Sequence, residues 1–69
     1  MTGEDLRALR HKLGLSVYDF GRALGYSGND NTVGVQIRRL ETNARPIGPI
    51  VERLAVMYGK HGVPKEYRA

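Results

Sequence analysis

No cysteine and no tryptophan occur in this 69-residue chain, and no run of about 18 apolar residues appears in it. The first absence excludes a disulfide framework and any cysteine-based zinc site. The last excludes a membrane-spanning helix. Aromatic residues make up only 7% of the chain, too few for a large aromatic ligand cage. The opening Met1-Thr2-Gly3-Glu4-Asp5 is acidic and polar and does not read as a secretory signal, so a cytoplasmic location is expected. Catalytic and metal-binding signatures are missing too. His11 and His61 stand far apart with no further ligand at zinc spacing. Asn29-Asp30-Asn31 lacks the later acidic ligands of a calcium loop. Ser16 has no base at hand, and no glycine-rich phosphate cradle occurs. No enzyme activity, metal, cofactor or small-molecule ligand is therefore expected.

What the chain does have is positive charge. Eleven Lys and Arg face seven Asp and Glu, for a net charge of +4. That balance suits a polyanion, nucleic acid first and an anionic membrane surface second. The length allows one small domain. A domain this size hides only about 60% of its unfolded surface, so its core is thin. Without staples it must rely on close helix packing or on a partner subunit.

The local patterns predict helices throughout. Thr2 with Asp5 forms a capping-box pair, Leu6, Leu9 and Leu13 share one face, and Gly14 ends the first helix. Ser16 and Asp19 open a short second helix with Phe20, Ala23 and Leu24 on its inner side and Gly25 at its end. Gly21 inside that helix predicts close approach of another helix. Tyr26 to Asn31 is turn chemistry. Asn31 or Thr32 then caps a third helix, from about Thr32 to Thr42, with Val33, Ile37 and Leu40 inward. Val35, Arg38, Arg39 and Thr42 face outward, with Gln36 on the flank. Asn43 to Pro46 breaks the helix. Gly48 and Pro49 open a fourth helix with the stripe Ile50, Val51, Leu54 and Met57, ended by Gly59. The tail carries Gly62 and Pro64, with room for one further turn after Pro64.

A short helix ending in glycine, a turn, and a second helix with a polar outer face is the arrangement that lays a helix in the major groove of DNA. The order Leu6-Arg7-Ala8-Leu9-Arg10, Leu13-Gly14-Leu15-Ser16, Ala23-Leu24-Gly25, Leu40-Glu41 and Arg45-Pro46-Ile47 resembles the Cro/phage-repressor (XRE-type) helix-turn-helix family over roughly residues 2–58. The resemblance implies an all-α domain of four or five helices, lambda-repressor-like, cytoplasmic, binding operator DNA as a dimer and repressing transcription. It also implies that Arg10 pairs with Glu41, tying the first helix to the end of the third. Two features depart from the family pattern. Val17 stands where a phosphate-binding glutamine is usual, although the second helix's backbone N–H groups can still meet a phosphate. The span from Gly25 to Glu41 is about six residues longer than the short helix-turn-helix joint. Ser27 to Thr32 is the inserted stretch, lengthening the third helix or forming a loop.

On this reading residues 1–59 are the DNA-binding domain and 60–69 a tail with a dimerisation role. Arg38 and Arg39 read guanines, while Val35 and Gln36 add selectivity. Asn31, Thr32 and Arg45 meet phosphates. Met57, Tyr58, Val63 and Tyr67 are the dimerisation candidates, because one half-site supplies little specificity alone. Arg7, Arg22 and Arg53 read as surface charges. The expected function is a dimeric, sequence-specific repressor of a phage or mobile-element operon, with double-stranded DNA and a second copy as partners and no membrane. A protein-interaction module of the antitoxin or inhibitor kind, or an architectural DNA-binding accessory factor, is the alternative.

Overall fold

Thr2 and Asp5 start the first helix as the sequence predicts. In the computed structural model, which describes residues 1–67, the Asp5 amide donates to the Thr2 hydroxyl and the Thr2 amide to the Asp5 carboxylate, each at 3.1 Å. The Thr2 backbone N–H, and then its hydroxyl, hold the Asp5 carboxyl below its ordinary pKa. Helix α1 runs Gly3–Leu13 and closes at Gly14, in the left-handed region at φ 71°. Helix α2, Val17–Ala23, opens on Ser16, whose hydroxyl accepts from the Asp19 amide at 3.1 Å. Beyond it the Tyr26 amide donates to the Gly21 carbonyl and the Gly25 amide to that of Arg22, with Gly25 at φ 94°. This paired closure lets the chain reverse at once.

Helix α3, Asp30–Glu41, begins earlier than predicted. Its cap is Asn29, not Asn31 or Thr32, and the Asn29 side-chain oxygen accepts from the Thr32 amide at 2.9 Å. The inserted stretch is thereby divided between a turn and an added first turn of helix. Helix α4, Pro49–His61, also differs from prediction at its end. Gly59 does not terminate it, so the helix runs through the boundary expected at residue 59. A Cβ on Gly59 would come 2.6 Å from the Leu9 Cδ1, so this glycine serves the packing of α4 on α1. Gly62, at φ 79°, ends the helix instead. The turn anticipated after Pro64 is present as one turn of 3₁₀ helix, Lys65–Tyr67. Arg68 and Ala69, the end of the expected tail, lie outside the described residues.

The described residues are all-helical, with four α-helices and no strand. Helix α3 is the hub, packing on α2 and on α1, while α4 leans on α1 and the 3₁₀ turn on α2. Leu6, Phe20, Val33, Ile37 and Ala55 have no exposed surface. Gly21 sits at a close approach of α2 and α3, as predicted: a Cβ there would collide with the Val33 side chain and crowd that of Ile37. The radius of gyration, 10.7 Å, is close to the ~11 Å expected of a globule this long. Among the described residues no helix is long and apolar enough to cross a membrane.

The inner face of α4 keeps Val51 and Leu54 of the predicted stripe, which pack against the core, but not Ile50 and Met57. Ile50 and Met57 are 74% and 53% exposed, and Ala55 and Tyr58 point inward instead. Tyr58, read from the sequence as a dimerisation residue, is a core residue. Its hydroxyl donates to the Ala23 carbonyl at 2.5 Å, satisfying the polar end of a buried ring. Burial, helped by nearby Tyr67, raises the pKa of that hydroxyl.

Candidate nucleic-acid interface

The inward side of α3 fixes what its outer side presents. Val33, Gly34, Ile37, Leu40 and Glu41 are buried. At about 100° per residue, the opposite arc then carries Thr32, Val35, Arg39 and Thr42, flanked by Asn31 and Arg38 on one side and Gln36 on the other. The burial pattern agrees. Asn31, Thr32, Arg38, Arg39 and Thr42 are exposed, whereas Val35 and Gln36 are half-buried. Gly34 is not on this surface; it faces the Tyr18 ring of α2, 2.8 Å from where a Cβ would stand.

The charges along this arc are uneven. At the start of α3, the Asp30 carboxylate already complements the helix dipole and is engaged by the Arg22 guanidinium. Asn31 and Thr32 therefore sit at the less basic end. At the other end Arg38 and Arg39 form no ion pair among the described residues, and neither does Arg45 in the following loop. The Arg45 amide donates to the Arg39 carbonyl at 3.2 Å, which holds these two residues' backbones side by side. Arg38 also lines a polar cleft of about 210 Å³ with Arg7, Arg10, Val17, Glu41 and Thr42. Sequence reading left Arg7 as plain surface charge, and no local signal links it to Arg38.

Two ties hold the end of α3 in place. The first is the Arg10–Glu41 pair. Arg10 Nε donates to Glu41 Oε2 at 2.7 Å and Nη2 to Oε1 at 3.2 Å, while Nη1 donates to the Leu15 carbonyl at 3.1 Å. One guanidinium thus joins α1, the α1–α2 loop and the last residue of α3. Its side chain is 13% exposed and that of Glu41 is 6% exposed.

The second tie is Asn43, which sequence reading missed. It lies in the left-handed region at φ 63°, and the Ala44 amide closes onto the Arg39 carbonyl at 2.9 Å. Its side-chain oxygen accepts from the Gly3 amide at 2.9 Å, and its side-chain nitrogen donates to Glu4 at 3.3 Å. The signal was present: asparagine after a basic last turn is a known alternative to glycine at a helix end. Asn43→Ala is expected to destabilise the protein by about 2 kcal/mol, from left-handed strain and a lost hydrogen bond. Asn43→Gly relieves the strain and should recover about half of that loss. Urea denaturation of the three proteins checks the order.

Among the expected site residues, then, Arg38, Arg39, Val35 and Thr32 share one side of α3, and Arg45 adjoins its end. Gln36 sits on the far flank. Among the described residues no group of His, Asp or Glu side chains is placed to hold a metal ion. No family model matches the chain, and neither a curated protein nor a solved structure is significantly similar to it.

Proposed function

We propose that the chain is a sequence-specific double-stranded DNA-binding regulator, with α3 as the helix that enters the major groove and α2 as its brace, in the manner of a helix-turn-helix domain. One observation carries this reading. Three guanidinium groups with no ion-pair partner among the described residues, on Arg38, Arg39 and Arg45, cluster at the end of a helix whose exposed side otherwise carries small neutral or weakly polar side chains. An arginine fork matches guanine O6 and N7, Val35 offers an apolar contact to a thymine methyl, and Arg45 suits a phosphate. The half-burial of Val35 and Gln36 narrows the base-reading set toward Arg39, with Arg38 closer to the sugar-phosphate edge beside Arg7. The carboxylate at the start of α3 removes weight from Asn31 and Thr32 as phosphate contacts.

A single copy reads one half-site. Two copies on a pseudo-palindromic operator supply the remaining specificity, and occupancy of that operator blocks transcription. Selection from a library of random duplexes tests the reading. The expected product is a short enriched motif, repeated in inverted orientation about one helical turn apart. A library that returns no motif overturns it.

A further inference from the structure

A different face of the molecule carries apolar side chains that the DNA reading leaves unused. On α4, Ile50, Val56 and Met57 are 74%, 42% and 53% exposed, and Tyr67 in the final turn is 52% exposed. Two adjoining grooves, of about 350 and 390 Å³, meet at Met57 and His61. Arg53 and Lys60 border the first groove, beside Val56 and Met57. Val63 and Tyr67 help to line the second. The one carboxylate at the first groove, Glu52, is engaged by the Met1 amino group at 2.6 Å. That contact raises the pKa of the amine. At the first groove the excess charge is therefore positive, on Arg53 and Lys60, while the floor is apolar; the exposed Glu66 lies outside it, beside Tyr67.

We propose that this face docks an acidic amphipathic helix of another protein, with its apolar side chains over Val56, Met57 and Tyr67 and its flanking carboxylates against Arg53 and Lys60. An unpartnered groove of this chemistry takes a helix through anchors at i, i+3, i+4 and i+7. Charge decides between that partner and a second copy. A two-fold contact centred on Met57 would bring Arg53 and Lys60 of one copy toward the same cations of the other, with Glu52 already occupied. Like charges brought together in this way oppose association, whereas carboxylates complement them. The docking face shares no residue with the arginine cluster of α3, so the proposal stands or falls independently of DNA binding.

The test uses the ¹⁵N-labelled full chain and two synthetic helical peptides with the same leucine stripe, one flanked by glutamates and one by lysines. The glutamate peptide should shift the resonances of Val56, Met57, Lys60 and Tyr67. The lysine peptide should bind at least about tenfold more weakly. The double variant Arg53→Glu/Lys60→Glu, both positions being exposed, should keep its fold by circular dichroism and lose at least about tenfold for the glutamate peptide. Equal binding of both peptides, binding of neither, self-association that covers Met57, or the same shifts produced by phosphatidylserine vesicles would each overturn the proposal.

Discussion

Replacing Glu41 with alanine is expected to remove about 3 kcal/mol of stability, because it strands a mostly buried guanidinium. The side chains of the pair are 13% and 6% exposed, so water restores little of what Arg10 loses. A domain of this size has a total stability of only about 3–10 kcal/mol, so the variant should lie close to its unfolding threshold. Glu41→Gln keeps the shape and one acceptor and should fall between the two. The double replacement Arg10→Met/Glu41→Leu removes both charges and should recover most of the loss, since apolar substitutes for a buried ion pair are often neutral or better. Urea denaturation, with the slope compared across variants, reads all of these. A loss below about 1 kcal/mol for Glu41→Ala would mean that the pair behaves as a surface bridge and does not anchor α3.

The second large effect is on binding. Arg39→Ala should cost about 1–3 kcal/mol against the selected duplex and relax preference at one base position. Arg45→Ala should instead weaken all duplexes alike and reduce the magnitude of the salt slope by about one. Both side chains are exposed and form no ion pair among the described residues, so neither change should move the unfolding midpoint. That separation matters, because a loss of affinity accompanied by a loss of stability would point to damage at the end of α3 and not to a missing contact. Fluorescence anisotropy at several salt concentrations distinguishes the two variants.

The starts of the helices were mostly legible in the sequence because their chemistry is local. Thr2 with Asp5, Ser16 with Asp19 and Pro49 each act within a few residues of themselves. The glycine ends were legible at Gly14 and Gly25, which take up positive φ, but not at Gly62. Gly59 misled because a glycine can end a helix or admit a neighbour, and only the position of Leu9 decides which. The inner face of α4 was legible at Val51 and Leu54 but not at Ile50 and Met57. Ile50 sits in the first turn and stays exposed, while Tyr58 has a carbonyl waiting at Ala23 that no periodicity records. The start of α3 was misplaced because three consecutive residues, Asn29 to Asn31, all have capping or turn chemistry, and tertiary placement chose the first.

The site was legible to a lesser degree. Arg38 and Arg39 follow from the helical period once Val33, Ile37 and Leu40 are inside. Their lack of partners does not, since it depends on Asp30 meeting Arg22 and on Glu41 meeting Arg10 across the fold. The cleft that Arg7 and Arg38 both line and the bridge from Asn43 to the start of α1 are equally non-local.

The claim on which the functional account rests is that the outer side of α3 is the surface that meets DNA. Backbone amide shifts of the labelled protein, followed as the selected duplex is added, test it most directly. The account predicts that the largest changes run from Val35 to Arg45, with a second set at Arg7 and the start of α2. Changes concentrated on α4 and the final turn, with α3 unmoved, would contradict it.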